Sequence, residues 1–284
     1  MNGFLLIDKA GGMTSHDVVA KARKKFGTKR VGHAGTLDPM ATGVLVLGVG
    51  NATKLLQYVV DGKKAYEATI KLGVATHTDD REGDVISTAD ASSVTEDQIR
   101  TGLQHYVGTI MQRPSSVSAI KIDGKRAHER VRQGEVVEIP AREVTIYEIN
   151  ICEVRVSEID ISVTCSAGTY IRAIARDLGE YLGVGGHLTS LRRTLVSPFT
   201  IDECHDLESS SLISTADGVA RMMPTRALSY EEVVEIGFGR TIGASESEGV
   251  VAALGVDGNF AALLENRDFS GKRLATPTLV AVKE

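Results

Sequence analysis

The sequence has few cysteines, and the three that it has follow no pattern typical of a disulfide or metal site. Cys152, Cys165 and Cys204 are odd in number and widely separated, and no two of them form a Cys-x-x-Cys pair. A disulfide framework needs paired cysteines, and structural zinc sites usually take such close pairs. The sequence therefore supports neither kind of site and is typical of a cytoplasmic protein with reduced thiols.

Long apolar runs are absent as well. No stretch reaches the roughly 20 apolar residues that a membrane-spanning helix requires. Residues 1–9 contain neither a basic leader nor a long apolar region, so we expect no secretion signal. With 284 residues, of which 42% are hydrophobic and 24% charged, the chain is long enough for one substantial core and a small additional domain. We expect a cytoplasmic protein that binds no membrane.

The chain also lacks an excess of positive charge, because its net charge is −5 and its isoelectric point is about 5.9. This balance argues against binding of nucleic acid by overall charge, since phosphate contacts need local positive charge. The basic residues are nevertheless clustered. Between residues 18 and 37 there is no acid and there are six bases: Lys21, Arg23, Lys24, Lys25, Lys29 and Arg30. Such a run is often only a solvated helix face, but this one directly precedes the most distinctive stretch of the chain.

That stretch comprises residues 32–45, and its only acid is Asp38. Asp38 precedes a proline, which favours an extended backbone, and glycines at positions 32, 35 and 43 permit sharp turns or close contacts. The apolar run 44–47 that follows predicts a buried strand. An isolated Asp-Pro usually only starts a turn. Three glycines, a histidine and two threonines around it instead indicate a carboxylate held on a rigid loop at the mouth of a strand.

Helix signals lie on both sides of this stretch. Thr14 and Asp17 have the spacing of a capping box, and Gly27 predicts the end of the helix that they start. Thr169 is expected to cap a second helix, in whose first turn Arg172 lies. The helix dipole disfavours a cation there, so Arg172 is expected to have a partner.

A glycine-rich turn after the predicted strand offers a different interpretation. Gly48-Val49-Gly50 between a strand and a helix resembles the start of a dinucleotide-binding turn, but Thr53 stands where the third glycine is expected. Asn51 as a helix N-cap explains the same residues. A nicotinamide-dependent oxidoreductase therefore remains only an alternative.

Five segments match one enzyme family in order. Gly35-Thr36-Leu37-Asp38-Pro39-Met40-Ala41-Thr42-Gly43 resembles the catalytic-aspartate motif of the TruB family of tRNA pseudouridine synthases. The other four matching segments, within the first two hundred residues, are 64–73, 113–121, 168–172 (Gly-Thr-Tyr-Ile-Arg) and 186–194. One departure is Ala10, which follows Lys9 where the family commonly has proline.

The resemblance implies a specific set of site residues. Asp38 would be the catalytic carboxylate, and the substrate-binding residues would be His33, Tyr66, Tyr170, Arg172 and Leu191. Arg172 would keep Asp38 ionised and oriented. The two tyrosines would hold the target base by stacking, Leu191 would pack against it, and His33 would support its displacement from the RNA.

The resemblance also implies an α+β pseudouridine-synthase fold, with a mixed, mostly antiparallel sheet flanked by helices and a small C-terminal β-barrel-like domain. The catalytic domain would span residues 1–220, with a thumb-like insertion at about 121–142 and a linker at about 199–226. Residues 226–284 would form a PUA-like RNA-binding domain. Independently of the resemblance, the alternation of apolar and polar residues over 144–163 predicts antiparallel strands with one wet face.

The implied reaction converts the uridine at position 55 of the tRNA T loop to pseudouridine. The N1–C1′ bond breaks, the uracil turns and C5 joins C1′, so no redox step and no cofactor are needed. A stacked base is unreachable, so it must be flipped out. The implied partner is the T stem-loop of tRNA, and the implied oligomeric state is a monomer.

No metal is expected in this chain. The polar loop 76–83 contains Asp79 and Asp80, but it lacks the ligand spacing of a calcium loop. We expect the loop to be mobile or to face RNA. A second alternative function, besides the oxidoreductase, is a tRNA-binding or folding protein without catalytic activity.

Overall fold

A computed structural model describes residues 1–115 and 139–281, together with the backbone of residues 121–122 and 125–126. Most of the predicted thumb-like insertion, 121–142, lies outside the described residues. The described strands are β1 Gly3–Lys9, β2 Val31–His33, β3 Thr42–Val49, β4 Lys64–Leu72, β5 Val74–Thr76, β6 Val85–Thr88, β7 Gly108–Gln112, β8 Lys121–Ile122, β9 Lys125–Arg126, β10 Arg142–Val154, β11 Glu158–Cys165, β12 Gly186–Val196, β13 Phe199–Thr200, β14 Ile213–Ser214, β15 Thr225–Ala227, β16 Ile242–Gly243, β17 Val250–Leu254, β18 Phe260–Phe269 and β19 Lys272–Val280.

The described α-helices are α1 Ser15–Phe26, α2 Leu56–Val60, α3 Glu96–Gln104, α4 Ile171–Tyr181, α5 Thr215–Met222 and α6 Tyr230–Gly237. Short 3-10 helices cover Gly50–Leu55 and Ile201–Glu203. Within the described residues, no helix combines the length and the apolar character needed to cross a membrane.

The larger sheet contains ten of the described strands in the order β14-β1-β3-β12-β4-β11-β10-β7, with β2 added to β3 and β13 to β12. Neighbouring strands are antiparallel except β3 and β12. These two run parallel and align Arg192 with Thr42 and Arg193 with Gly43. The mixed, mostly antiparallel sheet confirms the predicted fold class. The parallel pair brings β12 against the chain that leaves the Asp38 loop.

Alternating side chains give this sheet two apolar faces. Leu5 and Ile7 of β1 belong to a core that includes residues of α1, α3 and α4, whereas Phe4 and Leu6 lie on the opposite face. There they join a second core that contains Leu263 of β18. Each of the four β1 side chains is at most 4% exposed, a burial that stabilises by roughly 1.5–3 kcal/mol per side chain. Helices therefore cover one face, and the C-terminal strands cover part of the other.

The C-terminal strands form a second, curled sheet in the order β15-β17-β18-β19-β16. It has a small core of its own, with Leu228, Ile236 and Leu264, and it agrees with the predicted barrel-like C-terminal architecture. Residues 199–226, predicted to be a linker, pair with both sheets, because β14 joins β1 and β15 joins β17.

The glycine turn after β3 has a structural explanation. Gly50 has a φ of 63°, and a Cβ there would lie 2.1 Å from Asn2 Oδ1 and 2.6 Å from the Met1 carbonyl oxygen. The backbone N–H of Asn51 donates to Asn2 Oδ1 at 2.6 Å, and no side chain caps the 3-10 helix that begins here. The prediction of Asn51 as an N-cap is therefore wrong. The glycine accommodates the N-terminal residues, which pack across the turn.

Candidate active site

Asp38 lies on the loop between β2 and β3, and a buried arginine from β12 holds the ends of this loop. Arg193 is 1% exposed. Its guanidinium donates from Nε to the carbonyl of Val44 at 2.8 Å, from Nη2 to that of Gly35 at 3.1 Å and from Nη1 to that of Thr36 at 3.4 Å. The Val44 carbonyl is buried and needs such a donor. Arg193 therefore fixes the backbone on both sides of Asp38.

The middle of the loop is held from β1 and α1. Lys9 at the end of β1 is fully buried, and its Nζ donates to the carbonyls of Met13 at 2.7 Å and Pro39 at 3.3 Å. The Ser15 hydroxyl donates to the Leu37 carbonyl at 3.1 Å and accepts from the Leu37 N–H at 2.9 Å. The residues before and after Asp38 are thus both hydrogen-bonded to neighbouring elements.

Gly43 is required where the loop enters β3. Its φ is 100°, and a Cβ at this position would lie 2.2 Å from the carbonyl oxygen of Arg193. Any side chain at this position would strain the left-handed backbone and clash with the Arg193 carbonyl, so only glycine fits without strain. The glycine at position 43 in the sequence motif therefore reflects the contact with β12.

Asp38 is paired with Arg172, the second residue of α4. Arg172 Nε lies 3.0 Å from Asp38 Oδ2, and Nη2 donates to Oδ1 at 3.2 Å. This two-pronged geometry fixes the carboxylate plane as well as its position. The Arg172 side chain is 5% exposed, whereas that of Asp38 is 33% exposed. One part of the carboxylate is therefore held by the protein, and another part is open to a ligand.

A second carboxylate contacts the same arginine. Arg172 Nη1 lies 3.2 Å from Asp80 Oδ2 and donates to the Thr78 carbonyl at 2.7 Å. Asp80 in turn accepts from the Thr78 hydroxyl at 2.6 Å and from the Glu82 N–H at 3.0 Å. Asp80 is 3% exposed and its neighbour Asp79 8%. For these two acids, the prediction of an RNA-facing loop is wrong, because both carboxylates are buried and turned towards α4.

The electrostatic setting of Asp38 combines opposing effects. Burial raises the pKa of the Asp38 carboxyl above its ordinary value, Arg172 opposes this rise, and the nearby Asp80 adds to it. Burial likewise lowers the pKa of the Lys9 ammonium, while the charge of Asp38 opposes that change. A poorly solvated carboxylate beside fixed cations is well suited to act as a nucleophile or base.

Two of the other predicted site residues lie on adjacent strands. Tyr66 on β4 is 7% exposed and is aligned with Arg193 of β12. Burial raises the pKa of the Tyr66 phenol, and Arg193 opposes this rise. Leu191 lies two residues before Arg193 on β12 and belongs to the helix-covered core.

Tyr170 and His33 lie at the ends of secondary-structure elements. Tyr170 is the N-cap residue of α4; its N–H donates to Gln112 Oε1 at 2.8 Å, and its carbonyl accepts from Gln112 Nε2 at 3.0 Å. The Thr169 hydroxyl donates to the Ser166 carbonyl at 3.0 Å, so the prediction of Thr169 as the cap is wrong. His33 ends β2 with its ring edge-on to His16 at 5.5 Å, and burial lowers its pKa. His33 Nδ1 has no hydrogen-bond partner among the described residues.

Four residues that hold the site were not predicted from the sequence: Lys9, Ser15, Asp80 and Arg193. Arg193 offered only a weak signal, because it is one of two adjacent arginines, Arg192-Arg193, in a half-apolar strand. Lys9 offered another as the last residue of a buried strand. Asp80 and Ser15 offered none that distinguishes them from ordinary loop and helix-start residues.

Among the described residues, no group of three or more His, Cys, Asp or Glu side chains is arranged to hold a metal ion. The acids nearest Asp38 are instead committed to arginines, as Asp80 is to Arg172.

Comparison with known proteins identifies the family. The profile described as "TruB family pseudouridylate synthase (N terminal domain)" matches residues 23–171, and that described as "tRNA pseudouridylate synthase B C-terminal domain" matches residues 172–228. The chain belongs to the TruB family. It is therefore a pseudouridine synthase, an isomerase. The second TruB profile begins at α4 and includes β12, so both profiles contribute strands to the larger sheet.

Curated relatives match nearly the whole length of this chain. The tRNA pseudouridine synthase B of Corynebacterium efficiens is 51% identical over 284 residues, which cover 97% of this chain and 95% of the relative. That of Arthrobacter sp. is 50% identical and covers 93% of this chain and 92% of the relative.

Solved structures agree on the fold. An H/ACA RNP bound to a substrate RNA containing 2′-deoxyuridine contains a chain with a TM-score of 0.72 and 23% identity, over 99% of this chain and 85% of that one. A Cbf5-Nop10-Gar1 complex gives a TM-score of 0.70 at 25% identity, over 99% and 84% of the two chains. These likenesses confirm the predicted pseudouridine-synthase fold.

Proposed function

We propose that this enzyme converts uridine 55 in the T loop of tRNA to pseudouridine, with Asp38 as its catalytic carboxylate. The relatives named tRNA pseudouridine synthase B support tRNA as the substrate. The observation that carries the assignment of Asp38 is its geometry: Arg172 holds both of its oxygens, yet a third of its side chain stays exposed. A tRNA substrate also favours the cytoplasm as the place of action.

The reaction is redox-neutral, and one carboxylate supplies its essential step. Ionised Asp38 either attacks C1′ of the ribose, adds to the base or removes a sugar proton. In each case the N1–C1′ bond breaks, the uracil turns, C5 joins C1′, the C5 proton leaves and N1 takes up a proton. The Asp38 carboxylate is released unchanged, and a sugar proton that it removed is returned. Arg172 keeps Asp38 ionised against the effect of burial and aims its free edge. Tyr66 is the residue proposed to stack on the base and to help move the C5 proton.

The base must leave the RNA stack before Asp38 can reach it. We propose that Tyr170 and Leu191 line the pocket that receives the base and that His33 stabilises the displaced conformation. The position of Tyr170 supports this role, because Gln112 fastens its backbone immediately before Arg172 enters the site. His33 ends β2 directly ahead of the Asp38 loop, and this position supports its proposed role beside the displaced nucleotide.

The test is tritium release from a T stem-loop RNA labelled at uridine C5, with RNA binding measured in parallel. We expect release by the wild type and none by Asp38→Asn, while the two proteins bind RNA with similar affinity. Asp97→Asn is the matched control, because Asp97 lies exposed on α3. Equal release by wild type and Asp38→Asn would exclude Asp38 as the essential group. Release by neither, with binding retained, would favour a tRNA-binding protein without catalysis.

A further inference from the structure

A second arginine–aspartate pair lies directly beside the pair that contacts Asp38. Arg176 follows Arg172 by one helical turn on α4, and Asp79 precedes Asp80 in the loop. Arg176 Nη1 lies 3.3 Å from Asp79 Oδ2, just as Arg172 Nη1 lies 3.2 Å from Asp80 Oδ2. The Arg176 and Asp79 side chains are 14% and 11% exposed. Two consecutive acids therefore face two consecutive turns of one helix.

This arrangement requires an unusual backbone. Successive side chains of an extended chain point in opposite directions, so neighbouring acids would not normally face the same helix. Asp79 has a φ of 57°, in the left-handed region that most residues avoid. This conformation turns both carboxylates towards α4. The backbone of Asp79 is also fixed, because its N–H donates to the Thr76 carbonyl at 3.2 Å and its carbonyl accepts from the Leu188 N–H at 3.0 Å.

The two arginines need these acids. Like charges four residues apart on a helix repel each other, and Arg172 and Arg176 are both largely buried. Asp80 and Asp79 lie opposite them and offset this repulsion. If Asp79 lost its charge, Arg176 would stay paired with Asp177, whose Oδ1 lies 2.7 Å from Nη2. The loop 76–83 would then lose its ion pair with α4 next to Asp80, and the contact between Arg172 and Asp80 would loosen.

Arg176 also reaches beyond the loop. Its Nη2 donates to the carbonyl of Arg113 at 2.8 Å, and its Nε donates to Asp177 Oδ1 at 2.8 Å. Arg113 directly follows Gln112, the last residue of β7, which is hydrogen-bonded to the backbone of Tyr170. One guanidinium thus joins the loop 76–83, helix α4 and the end of β7 around the start of the helix that carries Arg172.

We propose that Asp79 and Arg176 are positioning residues for catalysis: the pair seats the loop 76–83 on α4, keeps Asp80 on Arg172 and so fixes the two-pronged contact of Arg172 with Asp38. The proposal rests on the proposed function, since it assigns the pair an effect on pseudouridine formation. Neither residue needs to touch the RNA. Their contribution is to the orientation of Asp38, which a small displacement of Arg172 is enough to disturb.

The principal test is Asp79→Asn, which keeps the size of the side chain and removes its charge. We expect kcat for T stem-loop RNA to fall about tenfold, with KM unchanged within about twofold because the exposed surface is preserved. The acid limb of the kcat profile should also move to higher pH. A looser Arg172 opposes the burial-induced rise in the pKa of Asp38 less effectively, so Asp38 becomes protonated at a higher pH.

A purely structural role predicts a different result. Asp79→Asn would then lower the melting temperature, while kcat measured well below that temperature and the position of the acid limb would match those of the wild type. Glu96→Gln is the matched control, because it breaks an exposed ion pair with Arg100 on α3. It should change neither kcat nor the pH profile.

A double-variant cycle tests whether the pair acts as a unit. Arg176→Gln should reproduce the loss seen with Asp79→Asn, and the double variant should lose no more kcat than the worse single variant. If Asp79→Asn does not fold, Arg176→Lys is the alternative variant. Lysine keeps the positive charge of Arg176 but lacks the several planar donors of its guanidinium. This variant should show a smaller fall in kcat with the same direction of pH shift.

The outcomes separate this proposal from the proposed function. An inactive wild type would overturn both, because there would be no catalysis to position. An active wild type with unchanged kcat and pH profile in Asp79→Asn or Arg176→Lys would overturn the positioning role alone. Additive losses of kcat in the double variant would also overturn it, because they would show that the two residues act independently.

Discussion

The part of the chain before residue 200 contains two sets of positive charges that differ in burial. The first set, Lys9, Arg172 and Arg193, is at most 4% exposed, and every member donates to carbonyl or carboxylate oxygens around Asp38. The second set consists of exposed bases at the end of α1 and just after it: Lys24, Lys29 and Arg30. The side chains of this second set have no hydrogen-bond or ion-pair partner among the described residues.

This difference suits the two sets to different tasks, and we expect the exposed set to be the one that can contact RNA phosphates. A buried charge costs several kcal/mol unless it is paired and hydrogen-bonded, so the buried set is suited to holding one loop in one geometry. Exposed bases stay hydrated and their side chains keep their conformational freedom. They are therefore suited to binding phosphates, which are attracted by local positive charge. The net charge of −5 averages over both sets and over the acids elsewhere. It therefore does not report the charge near the site.

The largest expected effect concerns stability and comes from Arg193→Met. Methionine fills a similar volume but leaves the carbonyls of Gly35, Thr36 and Val44 without this donor. We expect the free energy of unfolding to fall by about 3 kcal/mol, because the buried Val44 acceptor left unsatisfied costs about 1–3 kcal/mol and the two partly buried hydrogen bonds are lost as well. Denaturant unfolding measures this change.

Arg30→Met is the control for Arg193→Met, since Arg30 is an exposed base of the second set. Its free energy of unfolding should stay within about 0.5 kcal/mol of the wild type. Equal losses in the two variants would show that the distinction between buried and exposed bases has no energetic meaning.

The next effect concerns catalysis and comes from Arg172→Lys. Lysine keeps the charge but cannot reproduce the fork that contacts both Asp38 oxygens and Asp80. We expect kcat to fall about 100-fold, equivalent to about 2.7 kcal/mol, because the carboxylate loses its fixed plane. RNA affinity should change little, since Arg172 is buried. Single-turnover kinetics with a T stem-loop separates the two quantities, and a loss of affinity without a loss of rate would contradict this role.

Local features of the fold were predictable from the sequence because they depend on neighbouring residues. Thr14 and Asp17 form the capping box expected for α1, and Gly27 ends that helix with a φ of 60°. The strand alternation over 144–163 also matches β10 and β11. Thr169 shows the limit of such local reasoning: its hydroxyl is taken by Ser166, and Gln112, distant in sequence, satisfies the N–H of Tyr170 instead.

The site was predictable only where a family motif named its residues. The pairing of Asp38 with Arg172 joins positions 134 residues apart, and the motif resemblance predicted it correctly. Arg193 and Asp80 reach the same loop and arginine because β12 runs parallel to β3 and because Asp79 adopts a left-handed backbone. Neither cause leaves a pattern in the local sequence. The sequence also does not distinguish a buried arginine from an exposed one, so the burial of Arg193 is evident only from the fold.

The smallest expected effect comes from the exposed set, in the triple variant Lys24→Gln, Lys29→Gln, Arg30→Gln. If these bases contact tRNA phosphates, KM should rise about fivefold at moderate salt, and the slope of log affinity against log salt should fall by about 2–3. The value of kcat and the free energy of unfolding should stay near those of the wild type.

Lys25→Gln, on the same helix, provides the matched control for the triple variant. The Lys25 ammonium donates to the carbonyls of Leu207, Glu208 and Ser210 at 2.6, 2.9 and 2.9 Å, so it is an exposed base that already has protein partners. Its loss should lower stability slightly and leave the salt slope unchanged. Lys25→Gln could instead lower the slope of log affinity against log salt as much per charge as the triple variant does. Hydrogen bonding to the protein would then not distinguish structural bases from RNA-binding bases. Burial alone would have to account for the distinction.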